Sequence, residues 1–184
     1  MTVGRMTARL RKQDGFGLIE LLAAMAVLSI ALLALLAGYG SAVVSLRLSS
    51  RMTTVSALAN QQLELYRAVP FASIGLDDTA VASAEATDPV YASDRTALDD
   101  PNPLSAGVDV TIVGCGTTPQ CTPIQSVVGT DHRTYRLETF VRDVQDQNSS
   151  SITWTERVVT VIVRDPSQTG SPIVFQVSSA FDRG

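Results

Sequence analysis

Histidine occurs once in the 184 residues, at His132, and no serine-nucleophile motif, phosphate-binding glycine loop or HExxH helix accompanies it. That removes most routes to acid–base, phosphoryl-transfer and zinc-protease chemistry. Flanked by Asp131 and Arg133, the lone imidazole reads as a turn residue. Cysteine is confined to Cys115 and Cys121, within GCGTTPQC. The spacing is not CxxC and no His/Cys cluster stands nearby, which argues against thiol redox catalysis and zinc. The expectation is a chain without catalytic residues, metal site or cofactor. Basic residues are also scarce, 14 against 18 acids for a formal charge of −4. Setting aside Arg5, Arg9, Arg11 and Lys12 with Asp14 leaves −7 in the remainder. Such a surface is a poor non-specific nucleic-acid binder, because phosphate contacts depend on Lys and Arg.

Charge is almost missing from Phe16 to Val44 (FGLIELLAAMAVLSIALLALLAGYGSAVV), where Glu20 is the single charged residue. As a helix this run reaches roughly 40 Å at about 1.5 Å per residue, more than a hydrocarbon core of about 30 Å. A carboxylate in such a helix costs about 2.5–3.5 kcal/mol at mid-span, so its presence points to a partner and a role. The four cations before the run predict a cytoplasmic N-terminus by the positive-inside rule, with Arg47 and Arg51 weakening the bias from the far side. An ordinary secretory signal has an apolar core of only about 7–15 residues, followed by a small-residue cleavage site. The stretch 37–42 could serve as that site, but the run is too long and a signal has no use for Glu20.

The residues Gly15-Phe16-Gly17-Leu18-Ile19-Glu20 after a charged leader resemble the processing site of type IV prepilins and of the pseudopilins of type II secretion. Gly17 departs from the usual Thr or Ser at its position. The resemblance implies cleavage between Gly15 and Phe16 by a membrane-embedded prepilin peptidase, and N-methylation of Phe16 by the same enzyme. It further implies that Glu20 pairs with the N-terminal amine of a neighbouring subunit and sets its axial register. Self-pairing is the alternative, since Glu20 lies four residues from Phe16, one turn along the same face. Ala23, Ala24, Ala26, Ala31, Ala34, Ala37 and Gly38 would permit close helix approach. No proline breaks the span, unlike many major pilins, and Ala37-Gly38 lies near that place.

From Val44 the chain becomes amphipathic without a break. Leu48, Met52, Val55, Ala59 and Tyr66 fall on one helical face, and Pro70 predicts termination at Val69. Residues 77–107 are rich in Asp, Ala, Ser and Pro without periodicity, and read as a long acidic loop, comparable to the αβ loop of pilins. Asp77-Asp78 and Asp99-Asp100 match no calcium-loop spacing and read as solvated acids. Alternating, β-branched runs predict strands at Val108–Val113, Tyr135–Arg142, Thr153–Arg164 and Ile173–Val177. Turns are expected at 148–150 and 166–172. An antiparallel meander follows, one face packed on the helix and the other wet. Outside the cytoplasm, Cys115 and Cys121 are expected to form a disulfide; two free thiols are the alternative if the host envelope oxidises poorly.

The chain is therefore expected to be α+β and pilin-like, with a long N-terminal helix packed on a small antiparallel sheet. The expected organisation is a cleaved leader (1–15), a transmembrane and filament-core helix (16–44), its amphipathic continuation (45–69), an acidic loop (70–107) and the sheet (108–184). The resemblance implies a structural subunit, a minor pilin or pseudopilin, of a pilus or secretion filament. Its implied partners are prepilin peptidase, other pilin or pseudopilin subunits, the inner-membrane assembly platform and, before assembly, membrane lipid. The implied location is the cytoplasmic membrane as a single span, N-terminus inside and C-terminal domain outside, and then the filament. Two rivals stay open: a single-span anchor for a binding domain that does not polymerise, and a β-rich domain secreted after signal removal.

Overall fold

The computed structural model describes residues 17–98, 107–145 and 155–183. In chain order the elements are α1 (Leu18–Arg67), β1 (Leu76–Asp77), α2 (Asp78–Thr87), α3 (Pro89–Leu98), β2 (Val108–Asp109), β3 (Thr111–Ile112), β4 (Ile124–Val128), β5 (Thr134–Gln145), β6 (Thr155–Arg164) and β7 (Ile173–Phe181). The chain divides into two units at Arg47/Leu48. α1, 50 residues long, belongs to both. It begins where the Gly17 carbonyl accepts from the amides of Glu20 and Leu21, at 2.9 and 3.2 Å. It ends at Arg67, just before Val69, which Pro70 steers away from helical geometry.

In the second, globular unit, β5 and β6 form the centre of an antiparallel sheet. β7 lies beyond β6, and β4 and β2 share the far side of β5. β4 pairs with the Thr134 end of β5 and β2 with residues 142–143. Alternation sends Tyr135, Leu137 and Val141 of β5 and Val159, Val161 and Val163 of β6 into one core, against Val55, Leu58, Ala59, Leu63 and Tyr66 of α1. The buried stripe of α1 runs through Thr54, Val55, Leu58, Ala59, Gln62, Leu63 and Tyr66. Leu48 and Met52, expected on that stripe, are 55 % and 42 % exposed, because cover over α1 begins only at Thr54.

Two larger expectations need correction. The stretch read as a structureless acidic loop is largely the helices α2 and α3, with residues 99–106, including Asp99 and Asp100, outside the described residues. Two of its acids, Asp77 and Asp88, are helix caps. The Asp77 carboxylate accepts from the Ala80 amide at 3.1 Å and the Thr79 hydroxyl at 2.5 Å. Asp88 accepts from the amides of Val90 and Tyr91 at 3.0 and 3.1 Å, with Pro89 preset for the first helical position. Alanine does the rest, as the best helix former.

The second correction concerns the sheet face expected to be wet, which α2 and α3 cover. Ala84 and Tyr91 pack on Phe140 and Ile162, and the Tyr91 and Phe140 rings stack with centroids 4.7 Å apart. Beside them a buried charge cluster closes the interface. Arg164 reaches Asp94 of α3 at 2.5 Å and Glu138 of β5 at 3.2 Å, while Arg136 bridges Glu138 and Asp88 at 2.6 Å each.

The expected strand 108–113 is split. Val110 stands between β2 and β3, its amide on the Val141 carbonyl at 2.8 Å and its own carbonyl accepting from Leu76 at 3.2 Å. β3 thereby leaves the main sheet to pair in parallel with β1. The strand predicted from Thr153 begins, among the described residues, at Thr155, and the expected turn at 148–150 lies outside them. β1 and β4 had no counterpart in the sequence reading.

Cys115 and Cys121 are joined by a disulfide. Gly114 and Gly116, at φ of 70° and 90°, supply the left-handed backbone on either side of Cys115. The enclosed loop is held from α1, where the Gln62 side-chain amide donates to the Pro119 carbonyl at 2.9 Å and the Tyr66 hydroxyl to the Gln120 carbonyl at 2.6 Å. From the other side the Asp77 amide donates to the Cys121 carbonyl at 2.9 Å, and the Gly116 amide to the Asp77 carboxylate at 3.1 Å. Loop closure of this length contributes about 2 kcal/mol through the unfolded chain. Replacing both cysteines by serine is expected to lower stability by about that much, read as a lower urea midpoint.

Candidate functional site

The residues that the sequence singles out, Gly15, Phe16 and Glu20, lie at the N-terminal end of the chain, and of these Glu20 is on α1. Gly15 and Phe16 lie outside the described residues. Glu20 sits in the first turn of α1, on the acid-favouring end of the helix dipole. Its side chain is exposed and has no ion-pair partner among the described residues.

Beyond Glu20, the apolar side chains have nothing of their own fold to pack on. Every Leu, Ile, Val and Met between positions 18 and 36 is at least 52 % exposed. In water so long an apolar surface is untenable for a monomer, so lipid or other protein must cover it. The stretch is long and apolar enough to cross a membrane. The two serine hydroxyls inside it are satisfied locally, as hydrocarbon favours. Ser29 donates to the Met25 carbonyl at 2.8 Å and Ser41 to the Gly38 carbonyl at 2.9 Å.

One side of this helix carries a shallow furrow lined by Ala31, Ala34, Gly38 and Ala42, with Leu35 and Tyr39 at its edge. Steps of three and four bring those small residues into a single stripe, the arrangement that lets a second helix approach closely. Around Gly38 and Gly40 nothing lies within 4 Å of where a Cβ would stand. The fold itself thus sets no demand for glycine at either position.

The remaining sequence-derived residues are structural. Cys115 and Cys121 form the staple above, and Asp77 caps α2 and anchors the disulfide loop. His132 occupies the exposed turn between β4 and β5 at φ 60°, its amide on the Gly129 carbonyl at 3.0 Å. Among the described residues no group of three or more His, Cys, Asp or Glu side chains is arranged to hold a metal ion. Sequence reasoning missed the Asp94–Arg164–Glu138–Arg136–Asp88 cluster. The only signal available was the alternation of charge on β5, which it read as solvent exposure.

Residues 10–36 match the family described as the prokaryotic N-terminal methylation motif. The match covers the end of the basic leader, the Gly15/Phe16 junction, Glu20 and the first half of the apolar stretch. No curated protein and no solved structure matches the chain.

Proposed function

We infer that this chain, which carries the prepilin-type N-terminal methylation motif of type IV pilins and pseudopilins, is a structural subunit of a pilus-like or secretion filament, minor rather than major. In this reading it is not an enzyme. Prepilin peptidase removes residues 1–15 at the cytoplasmic face and methylates Phe16. The mature subunit waits as a single span, with its globular unit outside, until the assembly platform passes it into a filament of other subunits.

The observation that carries this reading is the coincidence of the motif with the first part of α1, where the apolar side chains from Leu18 to Leu36 are left uncovered by their own fold. Lipid covers that surface before assembly and neighbouring helices cover it afterwards. Glu20 then has a defined task. Once the leader is gone, a cationic amine at Phe16 and the Glu20 carboxylate are both expensive in hydrocarbon, and pairing them between subunits removes both costs.

The test is fractionation of cells producing a tagged chain. Recovery in sheared or purified filaments together with other subunits is the expected result. Retention solely in the membrane, in cells that demonstrably build filaments, contradicts it and favours a plain anchor. A finer expectation concerns Gly38. Gly38→Leu leaves folding and insertion unchanged, since nothing surrounds that position within the subunit, but lowers incorporation several-fold if neighbouring helices meet there. Quantitative immunoblotting of filament against membrane fractions checks it.

A further inference from the structure

We propose that the end of the globular unit formed by the β4–β5 and β6–β7 turns is a lipid-facing surface, seated on anionic phospholipid headgroups while the subunit waits in the membrane. The proposal rests on the membrane-span reading above and adds an occupant for a surface which that reading leaves unassigned.

Both turns are fixed to the same stretch of α1. The Thr54 and Thr130 hydroxyls are 3.1 Å apart, and a Cβ at Gly129 would stand 2.6 Å from the Thr54 methyl group, so the first turn lies hard against the helix. Arg51 bonds Asp165 at 2.5 Å and fixes the second. An open groove lined by Arg133, Thr134, Pro166 and Ser167 joins them.

The charge at this end differs from that of the rest. Its two acids are engaged within the fold, Asp165 buried and Asp131 half-buried. Asp165 receives Arg51, the Ser167 hydroxyl at 2.5 Å and the Gln168 amide at 2.9 Å. Asp131 receives the Tyr135 hydroxyl at 2.6 Å and the Arg133 amide at 3.2 Å. Arg133 is left exposed, with no ion pair among the described residues, next to exposed His132. Exposed acids such as Glu64, Glu156 and Asp182 belong to the opposite ends of α1, β6 and β7.

Apolar side chains stand beside the cation. Leu48 and Met52 on α1, Val128 at the end of β4 and Ile173 at the start of β7 are 42–63 % exposed. A cation among exposed apolar groups suits an interface of anionic headgroups and acyl chains. The chain itself selects the occupant. Arg51 is seven residues beyond Val44, so however the backbone runs, this residue, which anchors the surface, stays within about 25 Å of the end of the apolar stretch. Leu48 and Met52 also continue that apolar stretch into the globular unit. A membrane is thus always at hand, whereas a sibling subunit is present only on assembly.

The experiment is amide hydrogen exchange on the full chain in nanodiscs of phosphatidylcholine alone or mixed equally with phosphatidylglycerol. Peptides spanning 129–134 and 166–173 are expected to exchange several-fold more slowly in the anionic discs, with the disulfide loop 115–121 unchanged. Arg133→Glu is expected to abolish the difference and Arg133→Lys to keep it; both lie in an exposed turn. Equal exchange in the two lipids, or slowing that survives Arg133→Glu, overturns the proposal. So does slowing that appears only in assembled filaments, which assigns the surface to a neighbouring subunit. Fast exchange across 22–42 in the same discs would instead overturn the membrane-span reading.

Discussion

Glu20→Ala is expected to insert, to lose its leader and to leave the globular unit intact, yet to enter filaments at least ten-fold less than the wild-type chain. In the proposed filament the mutation would remove one partner of a charge pair in a low-dielectric setting and leave the Phe16 amine uncompensated. Leaving a charge unpaired there costs a few kcal/mol, and about 1.4 kcal/mol is a factor of ten in partition. Glu20→Gln separates charge from shape, because it keeps the size and a hydrogen-bonding head but not the charge. If the pair is electrostatic, Gln behaves as Ala does. Normal incorporation of either variant, measured against membrane-resident subunit by immunoblot, removes the register role. Loss of processing in both would move Glu20 from assembly to peptidase recognition.

The largest stability effect is expected at Arg164. Its guanidinium holds Asp94 at 2.5 Å and Glu138 at 3.2 Å, and it donates to the Ser171 carbonyl at 2.6 Å. Glu138 is completely buried. Arg164→Ala leaves those two carboxylates facing one another with only Arg136 nearby, and is expected to cost about 3–5 kcal/mol at pH 8. The triple change Arg164→Met, Glu138→Leu, Asp94→Leu removes the charges together and is expected to recover most of that loss. Denaturant unfolding of the full chain in a mild detergent reads both.

The same cluster gives stability a pH dependence whose sign can be worked out. Burial pushes the Glu138 carboxyl up to about 7; the Asp94 carboxyl beside it adds to the rise, and Arg136 and Arg164 oppose it. The folded chain therefore keeps a proton that the unfolded chain releases near pH 4.5. That contribution is fully present below pH 4.5 and is lost as pH rises towards 7. Asp88 works in the opposite sense. The hydrogen bond from Arg136 holds it below the usual carboxylate range, so its contribution is present at neutral pH and disappears only in stronger acid. The melting temperature is expected to fall by several degrees between pH 5 and pH 8, and Glu138→Gln to flatten that slope. A rise over the same interval contradicts the assignment.

The long helix was legible because its cause is local. Twenty-nine residues from Phe16 to Val44 with one charge admit few structures, and Pro70 marks the end. β5, β6 and β7 were legible for a similar reason, through alternation and β-branched residues. What failed was mainly whatever depended on a partner distant in sequence, together with two local caps. Leu48 and Met52 keep the period of the packing stripe, but no sheet reaches them. Asp77 and Asp88 look like loop acids until each is seen to cap the helix that follows. Arg136, Glu138 and Arg142 alternate as residues facing water do, and sequence periodicity does not distinguish water from an opposing layer of carboxylates and carbonyls. The candidate site divides in the same way. Glu20 and the junction at Gly15/Phe16 are carried by a contiguous motif, whereas the surface around Arg133 exists only because two turns far apart in the chain meet α1 together.

The most direct measurement is the mass of the N-terminal peptide of the protein purified from its host membrane. A peptide beginning at Phe16 and carrying one methyl group on its amine is the predicted result. A peptide that keeps the Met1 leader, or one that begins after the apolar stretch near Ser41, contradicts it.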